Sequence, residues 1–479
     1  MPREATRTGD SGAYLTLESF RPPLYGWFMH GWSWLHGSLA GLPTLQLVLL
    51  LGVIALFAVQ LGLLLRNALV SIAVVPLVLA QPGIYDAPNW MMTESLFLAL
   101  ILCGLAMQFR HAREPRSGHQ RALIAAAFLF GLATITRSTG IIFLLLPLGV
   151  AFLEGGQLAA GTPAGWQPHR KSTFLARLRK MFTAGLASAF PPALAAILVM
   201  LTAMGWHERQ HGHFEIGSWS GISLLTKGLL LVTPQDVAGM PPPIRAVLPY
   251  AEKDRVLIAA QPDLAARLRA QVQATSSDLR WSVFIPDAAK TWPAWQQADW
   301  RMRGLLADDV AKTLIRRHPL GAVSLWVNDW LSLVLQPAYW PASLSATVPD
   351  RQAFIACSQD RNCWALERYD LPLFSRIVLL AVSIVGPVAA LLVIGLGGWQ
   401  MLHRRADSMT ILFVLIALVV HASLLLSSAF EAGHVRYTVA LHVLELPLLI
   451  WSAFRVFRWF LDGPGKRNSP LSGTGLLES

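Results

Sequence analysis

Charge is scarce in this chain: only 14% of its 479 residues are Asp, Glu, Lys or Arg, while 54% are hydrophobic. That balance excludes an ordinary soluble domain, in which about 25% of residues carry charge. Acidic residues are the scarcer sign, 28 against 39 Lys and Arg, which leaves a net charge of +11. The excess does not make a nucleic-acid binder, because the basic residues are not gathered on one folded face. They sit in short segments between apolar runs, where they orient membrane helices. No stretch has the charged start, short apolar core and small-residue cleavage site of a secretory signal peptide, so the spans themselves are expected to direct insertion. No internal repeat is present, in contrast to many transporters.

What the chain has in abundance is apolar runs of bilayer length. Nine are counted, roughly at residues 44–65, 67–82, 91–109, 122–136, 139–154, 182–205, 376–400, 408–429 and 437–459. The expected fold is mainly α, a polytopic helical membrane protein of about nine transmembrane helices with a mostly helical extracytoplasmic domain. Arg110, Arg113, Arg116 and Arg121 fill one connection, and Arg170, Lys171, Arg177, Arg179 and Lys180 another. Arg404 and Arg405 fill a third, and Arg455, Arg458, Lys466 and Arg467 mark the C-terminal end. With these cytoplasmic, the alternate connections face outward. The chain then divides into an outward loop with a juxtamembrane helix (1–43), an N-terminal transmembrane module (44–205), an extracytoplasmic domain (206–375), C-terminal transmembrane helices (376–460) and a cytoplasmic tail (461–479). Residues 1 to 43 lie outside with no span before them, which creates the expectation that a first transmembrane helix precedes this version of the chain.

The same topology sorts the polar residues. Asp10 and Arg21, Asp86 in "QPGIYDAPNW", Arg137 after "GLATIT", the segment from about 206 to 375 and "FEAGHVRY" at 430–437 all fall on the outward face. None of them was used to orient the chain, and chemistry at a membrane surface needs its charged groups at one depth. The long outward segment is rich in Trp, at 206, 281, 292, 295, 300, 326, 330 and 340. Trp favours the headgroup layer, so this domain is expected to lie on the membrane. Within it, "LADDVAKTLIRRHPLGAVSLWVNDWLSLVLQP" reads as one or two amphipathic helices. Cys357 and Cys363 either close a small disulfide loop or remain two thiols, and Cys103 is a packing residue within a span. Residues 1–8 and "GKRNSPLSGTGLLES" are expected to be disordered.

One motif points elsewhere. "HERQH" at 207–211 has the spacing that puts two imidazoles on one helix face to bind zinc, with Glu208 as the base that activates water and His213 or Glu215 as a third ligand. Against a protease, Arg209 and Gln210 are polar where such a helix is usually buried, Gly212 follows at once, and the match sits where a span leaves the bilayer.

Five stretches in order, "GDSGAYL", "RPPLYGWF", "PNWMMTESLFLALIL", "GLATITRSTGIIFLLLPL" and "HVRYTVALHVLELPLL", resemble the landmarks of the GT-C superfamily of polytopic glycosyltransferases. The likeness is to the branch of the lipid A aminoarabinose transferase and the protein O-mannosyltransferases. It covers both ends of the membrane portion well and the central domain poorly. In that family a transmembrane helix precedes the loop bearing the acidic motif, in line with the expectation of a missing first helix. The resemblance implies transfer of a sugar from a polyprenyl-phosphate donor to a glycan, lipid or protein acceptor. It makes Asp10 the counterpart of the acidic residue near the acceptor, where a carboxylate takes the proton from the attacking hydroxyl.

The other requirement is positive charge where the phosphate leaves. Arg436 suits it, because a guanidinium grips phosphate oxygens bidentately. His434 and Tyr437 can add hydrogen bonds, and Lys227 in "SLLTKGLLL" can reach from the outward domain. Arg21, Tyr25, Asp86, Glu94, Arg137 and Glu431 complete the substrate-binding candidates. Each has a plainer reading beside it. Asp10 is alternatively a solvated residue of a flexible tail. Arg436 and Arg137 are alternatively interfacial anchors, and Asp86 a helix terminator. Arg21 and Tyr25 shape the turn into a surface helix whose Trp27, Phe28, Trp32 and Trp34 face lipid. Glu94 stands out, because a carboxylate just inside a span is costly unless paired or functional. His442 and Glu445, one turn apart in the last span, are expected to pair with each other or a neighbour, and His421 to be a packed, hydrogen-bonded histidine.

The acidic motif offers one carboxylate, with Glu18 the nearest other acid, rather than the cluster a divalent cation prefers. Metal-independent transfer is therefore expected, with no cofactor, although a divalent metal is not excluded. The alternatives are a polysaccharide polymerase or ligase, a lipid or solute transporter, and the zinc protease of "HERQH".

Overall fold

The computed structural model describes residues 11–81, 84, 87–89, 91–114, 119–160, 174–217, 220–275, 278–335, 372–402, 407–430 and 439–462. These residues are overwhelmingly helical, with no β-strand among them. Two short N-terminal helices come first, α1 (Ser11–Leu15) and α2 (Leu24–His36). The first apolar run forms α3 (Leu42–Leu65), begun by Pro43 in the first turn, where a missing N–H costs nothing. Its end is tight. Arg66 adopts a left-handed conformation (φ 52°) and Asn67 accepts a hydrogen bond from the Leu69 amide at 2.9 Å, capping α4 (Ala68–Leu79).

The first membrane module continues with α5 (Glu94–Arg113) and α6 (His119–Thr134), then a 3-10 turn (Ser138–Leu144) running into α7 (Leu145–Ala160), and then α8 (Phe174–His211). Beyond the central region come α16 (Leu373–Leu380), a π-helical turn (Ala381–Val385), α17 (Gly386–Leu402), α18 (Ser408–Phe430) and α19 (Val439–Asp462), the labels α9 to α15 being kept for the central helices below.

Six helices are long and apolar enough to cross a membrane: Leu42–Leu65, Glu94–Arg113, Ser138–Ala159, Leu178–His211, Leu373–Met401 and Ser408–Ala429. They account for six of the nine expected spans. Two others form shorter apolar helices, α4 and 120–134. The ninth expected run falls within α19, 24 residues long, which is not among those six and whose side chains are described from 441 to 456. One continuous core joins α3, α5, α6, α7, α17, α18 and α19. The α8 span is the least buried of the six. Its exposed Phe182, Leu186, Phe190, Leu194, Ile197 and Leu201 present an apolar flank, as a helix facing lipid does.

Small residues let α7 and α8 approach closely. A Cβ added at Gly185 would lie 2.7 Å from the Phe152 carbonyl oxygen and 2.8 Å from its ring, and one added at Gly156 would lie 3.2 Å from the Met181 carbonyl. Close backbone approach is how membrane helices associate when no hydrophobic drive separates helix from lipid. Gly185→Val is therefore expected to destabilise the protein by about 1–3 kcal/mol, the usual cost of overpacking. A lowered midpoint in denaturant titration of the solubilised protein, with Gly205→Val as the control in open space, measures it.

The central segment folds as a helical unit with its own core. It comprises α9 (Ser220–Leu231), α10 (Pro243–Ala259), α11 (Leu264–Thr275), a π-helical stretch (Asp278–Phe284), α12 (Ile285–Thr291), α13 (Pro293–Gln296), α14 (Trp300–Arg317) and α15 (Pro319–Leu335). The amphipathic stretch thus makes two helices, broken where Pro319 disfavours helical backbone at His318. Not every Trp of this segment rests at a surface. Trp295 is buried, with its ring 5.7 Å from Phe284 and 5.8 Å from Trp292. The Arg255 guanidinium closes the C-terminus of α9 by donating to the carbonyls of Leu230 (2.9 Å) and Val232 (2.6 Å).

A second knot in this unit is Asp236. Its carboxylate accepts from the Thr233 hydroxyl (2.7 Å), the Thr233 amide (2.9 Å), His318 (2.7 Å) and Arg317 (3.3 Å), with only 3% of its side chain exposed. Burial works against its ionisation, but these donors outweigh it and hold the carboxyl down at about 2. A depressed carboxyl contributes stability above its ordinary value of 3.8 and loses it as pH falls toward the folded value, here about 2 kcal/mol in all. Acid unfolding followed by circular dichroism should accordingly lose its steepest part below pH 4 in Asp236→Asn.

Candidate functional site

Three segments far apart in sequence meet at one end of the membrane module. The first is 11–25, the second 91–94, and the third the end of α6 at 131–137. The N-terminal segment is tied down at several points. The Ser11 hydroxyl donates to the Met91 carbonyl (3.1 Å), the Leu24 amide to the Ile135 carbonyl (3.0 Å), and the His30 ring bonds the Leu15 carbonyl (2.9 Å). Trp27 packs edge-on against Trp206 of α8 at 5.1 Å. Tyr14, Tyr25, Met29, Leu42 and Met91 form a small apolar core beneath.

The charged centre of this junction is Glu94, in the first turn of α5, where the helix dipole favours a carboxylate. Arg137 follows α6 with extended backbone and donates from Nη1 to Glu94 Oε1 at 3.2 Å. Only 14% and 16% of the two side chains remain exposed. Arg137, read from the sequence as an interfacial anchor, is thus held in an ion pair. Tyr25 is fully buried and donates to Gln46 Oε1 (3.2 Å), whose own amide donates to the Pro88 carbonyl (3.0 Å). Burial, then the nearby Glu94 carboxylate, push the Tyr25 phenol well above its ordinary value, so it remains a hydrogen-bond donor. The Tyr14 ring stands 5.3 Å from that of Tyr25, and the Arg21 guanidinium lies 5.3 Å from the Tyr14 ring centre. At that range a cation is drawn to the face of the ring.

Of the candidates, Arg21, Tyr25, Glu94 and Arg137 are thus brought together. Lys227 is not with them. It is fully buried in the helical unit and ion-paired with Asp329 of α15, also fully buried. Asp10, Asp86, Glu431, His434, Arg436 and Tyr437 lie outside the described residues, as do Cys357 and Cys363.

Of the α2 aromatics expected to face lipid, Trp34 is 84% exposed. Trp27 and Phe28 instead pack inward, against Trp206 and Tyr25, and Trp32 donates to the Ala40 carbonyl (3.0 Å). In the membrane core His442 bonds Gln81 Oε1 through Nδ1 (2.9 Å), and His421 Nε2 donates to the Pro387 carbonyl (3.0 Å). Glu445, equally buried, packs its side chain against Gly386.

Sequence reasoning missed Gln46, Gln81, Tyr14 and Ser11. The two glutamines carried a legible signal, being lone amides within apolar runs. Ser11 carried none. The "HERQH" imidazoles share a helix face, whereas Glu208 is exposed. Among the described residues no group of three or more His, Cys, Asp or Glu side chains is placed to hold a metal ion. No family model, curated protein or solved structure matches this chain.

Proposed function

We propose that the chain is an integral membrane glycosyltransferase of GT-C type. It moves a sugar from a polyprenyl-phosphate donor to an acceptor on the extracytoplasmic face, in a bacterial inner membrane with the C-terminus cytoplasmic. The observation that carries the reading is the meeting of 11–25, 91–94 and 131–137 around the Glu94–Arg137 pair. These are the segments that carry four of the five resemblances, and a transferase site needs charged groups from separate loops gathered at one depth. A lipid-linked donor also explains embedding, since its tail can enter between helices while its head stays at the surface.

The chemistry needs few groups. The acceptor hydroxyl oxygen bonds to the anomeric carbon, the bond from that carbon to the phosphate oxygen breaks with its electron pair, and configuration inverts. Asp10, one residue before the anchored Ser11, takes the acceptor proton. Arg436, with His434 and Tyr437, stabilises the charge gathering on the departing phosphate. Arg137, held by Glu94, and Arg21 extend that positive rim. Labelled polyprenyl-phosphate sugars supplied to reconstituted protein with membrane extract test the reading. Transfer should occur with wild type and collapse in Arg436→Ala, and no transfer by wild type defeats it.

A second reading, transport of a lipid or solute, is favoured by the buried polar groups Gln81, His442 and Glu445 within the spans. Vesicle uptake without any covalent product would support it instead.

A further inference from the structure

We propose that His207 and His211 form a binding site for one divalent transition ion of the zinc, cobalt and nickel class. The two residues are four apart on the last turn of α8 and so lie one above the other on a single face. Their ring centroids are 5.0 Å apart with planes inclined at 63°. A ligating imidazole nitrogen sits about 2.1 Å from zinc, which puts the ring centre about 3.2 Å away, so two rings on one tetrahedral ion have centres roughly 5 Å apart. The observed spacing is compatible with a shared ion.

The nitrogens supply the second, independent observation. His207 is fully buried, and the Arg21 backbone lies within hydrogen-bond reach of only one of its ring nitrogens, which leaves the other with no partner among the described residues. Nε2 of His211 is likewise buried without one. Native interiors rarely leave such atoms unmatched, and an ion would satisfy one nitrogen of each ring at once. The Arg21 backbone lies beside the His207 ring, where it can orient the nitrogen that does not bind metal. Imidazole donors select this class over magnesium or calcium, which demand oxygen.

The site differs from that of a protease. Glu208 is exposed, His213 faces Asp299 at 3.9 Å, and no third His, Cys, Asp or Glu joins the pair among the described residues. Two coordination positions therefore remain for water or for an oxygen ligand. Arg21, Pro22 and Pro23 share a pocket with Trp206, so an ion here would brace the end of α8 against the N-terminal segment.

The test uses the full chain in detergent, stripped of metal by dialysis and titrated with zinc chloride in equilibrium dialysis and with cobalt chloride by visible absorption. One ion per chain is expected, with a cobalt d–d band. His211→Ala, at a half-buried position, and His207→Ala should each weaken binding more than about tenfold, since even loss of an outer-shell partner costs that much. His213→Ala should bind as wild type does. Failure of the wild type to bind either ion overturns the proposal, and so does stoichiometric binding that persists in the His207→Ala/His211→Ala double variant. Elution and helical content equal to wild type in His211→Ala ensure that its loss of binding reflects a lost ligand.

Discussion

Lys227→Met should destabilise the protein by about 3–5 kcal/mol, the usual cost of removing one partner from a buried pair. Both members are fully buried, so Asp329 would keep its charge with no cation to meet it. Its remaining support is the Gln271 amide, which donates to Asp329 Oδ1 at 2.7 Å and to the Leu325 carbonyl at 2.9 Å, while Asn328 donates to Gln271 Oε1 at 3.0 Å. Those bonds fix the carboxylate without neutralising it. The decisive comparison is Lys227→Met/Asp329→Asn. The Asn oxygen can still accept from Gln271, and no charge is left buried, so the double variant should recover at least about 2 kcal/mol of what the single variant loses. Unfolding midpoints of the four proteins in a double-mutant cycle give the coupling directly. Equal instability of the single and double variants would show that the pair is held by packing alone.

The same cycle bears on chemistry. A lysine that grips a donor phosphate is needed for turnover whatever its partner, whereas one that only neutralises Asp329 is dispensable once Asp329 is neutral. On the proposed transferase reading, the double variant should therefore transfer sugar at close to the wild-type rate.

Lys227 also shows what was legible in the sequence. The periodicity and length of the apolar runs announced the helices, because each span must satisfy its own backbone whatever packs against it. Six long apolar helices follow those runs closely. The break at His318–Pro319 was legible for an equally local reason. Partnership was not local. Lys227 pairs across 102 residues with Asp329, and Arg137 across 43 with Glu94, so only the tertiary fold tells which lysine is spent on structure and which arginine is held in place. Glu94 was singled out because a carboxylate inside a span is expensive, a rule that needs no partner to apply. Tyr25 and Arg137 had readings as turn-shaper and headgroup anchor, to which the fold adds a buried hydrogen bond to Gln46 and an ion pair to Glu94. Trp295 misled for a related reason, since indole suits a wet interface and an aromatic core alike.

On the proposed transferase reading, Asp10→Asn should lower transfer by about 10²–10⁴-fold, the usual contribution of a positioned general base. An amide of the same shape keeps the size of the side chain but cannot accept the acceptor's proton. Because the change removes only proton uptake, KM for the lipid donor and the thermal midpoint should both stay near wild type while kcat falls. Glu94→Gln is the informative companion. Oε1 of Glu94 is committed to Arg137 at 3.2 Å, so this carboxylate holds the guanidinium rather than receiving a proton. Its loss should raise KM through a misplaced Arg137 and lower the thermal midpoint, because a half-buried cation is left without its partner. The two profiles are distinct, kcat alone for the base and KM with stability for the positioning residue. If Asp10→Asn turns over like wild type while Glu94→Gln loses kcat with KM unchanged, the base is Glu94, and Asp10 is the solvated terminal residue that its place in the sequence equally allows.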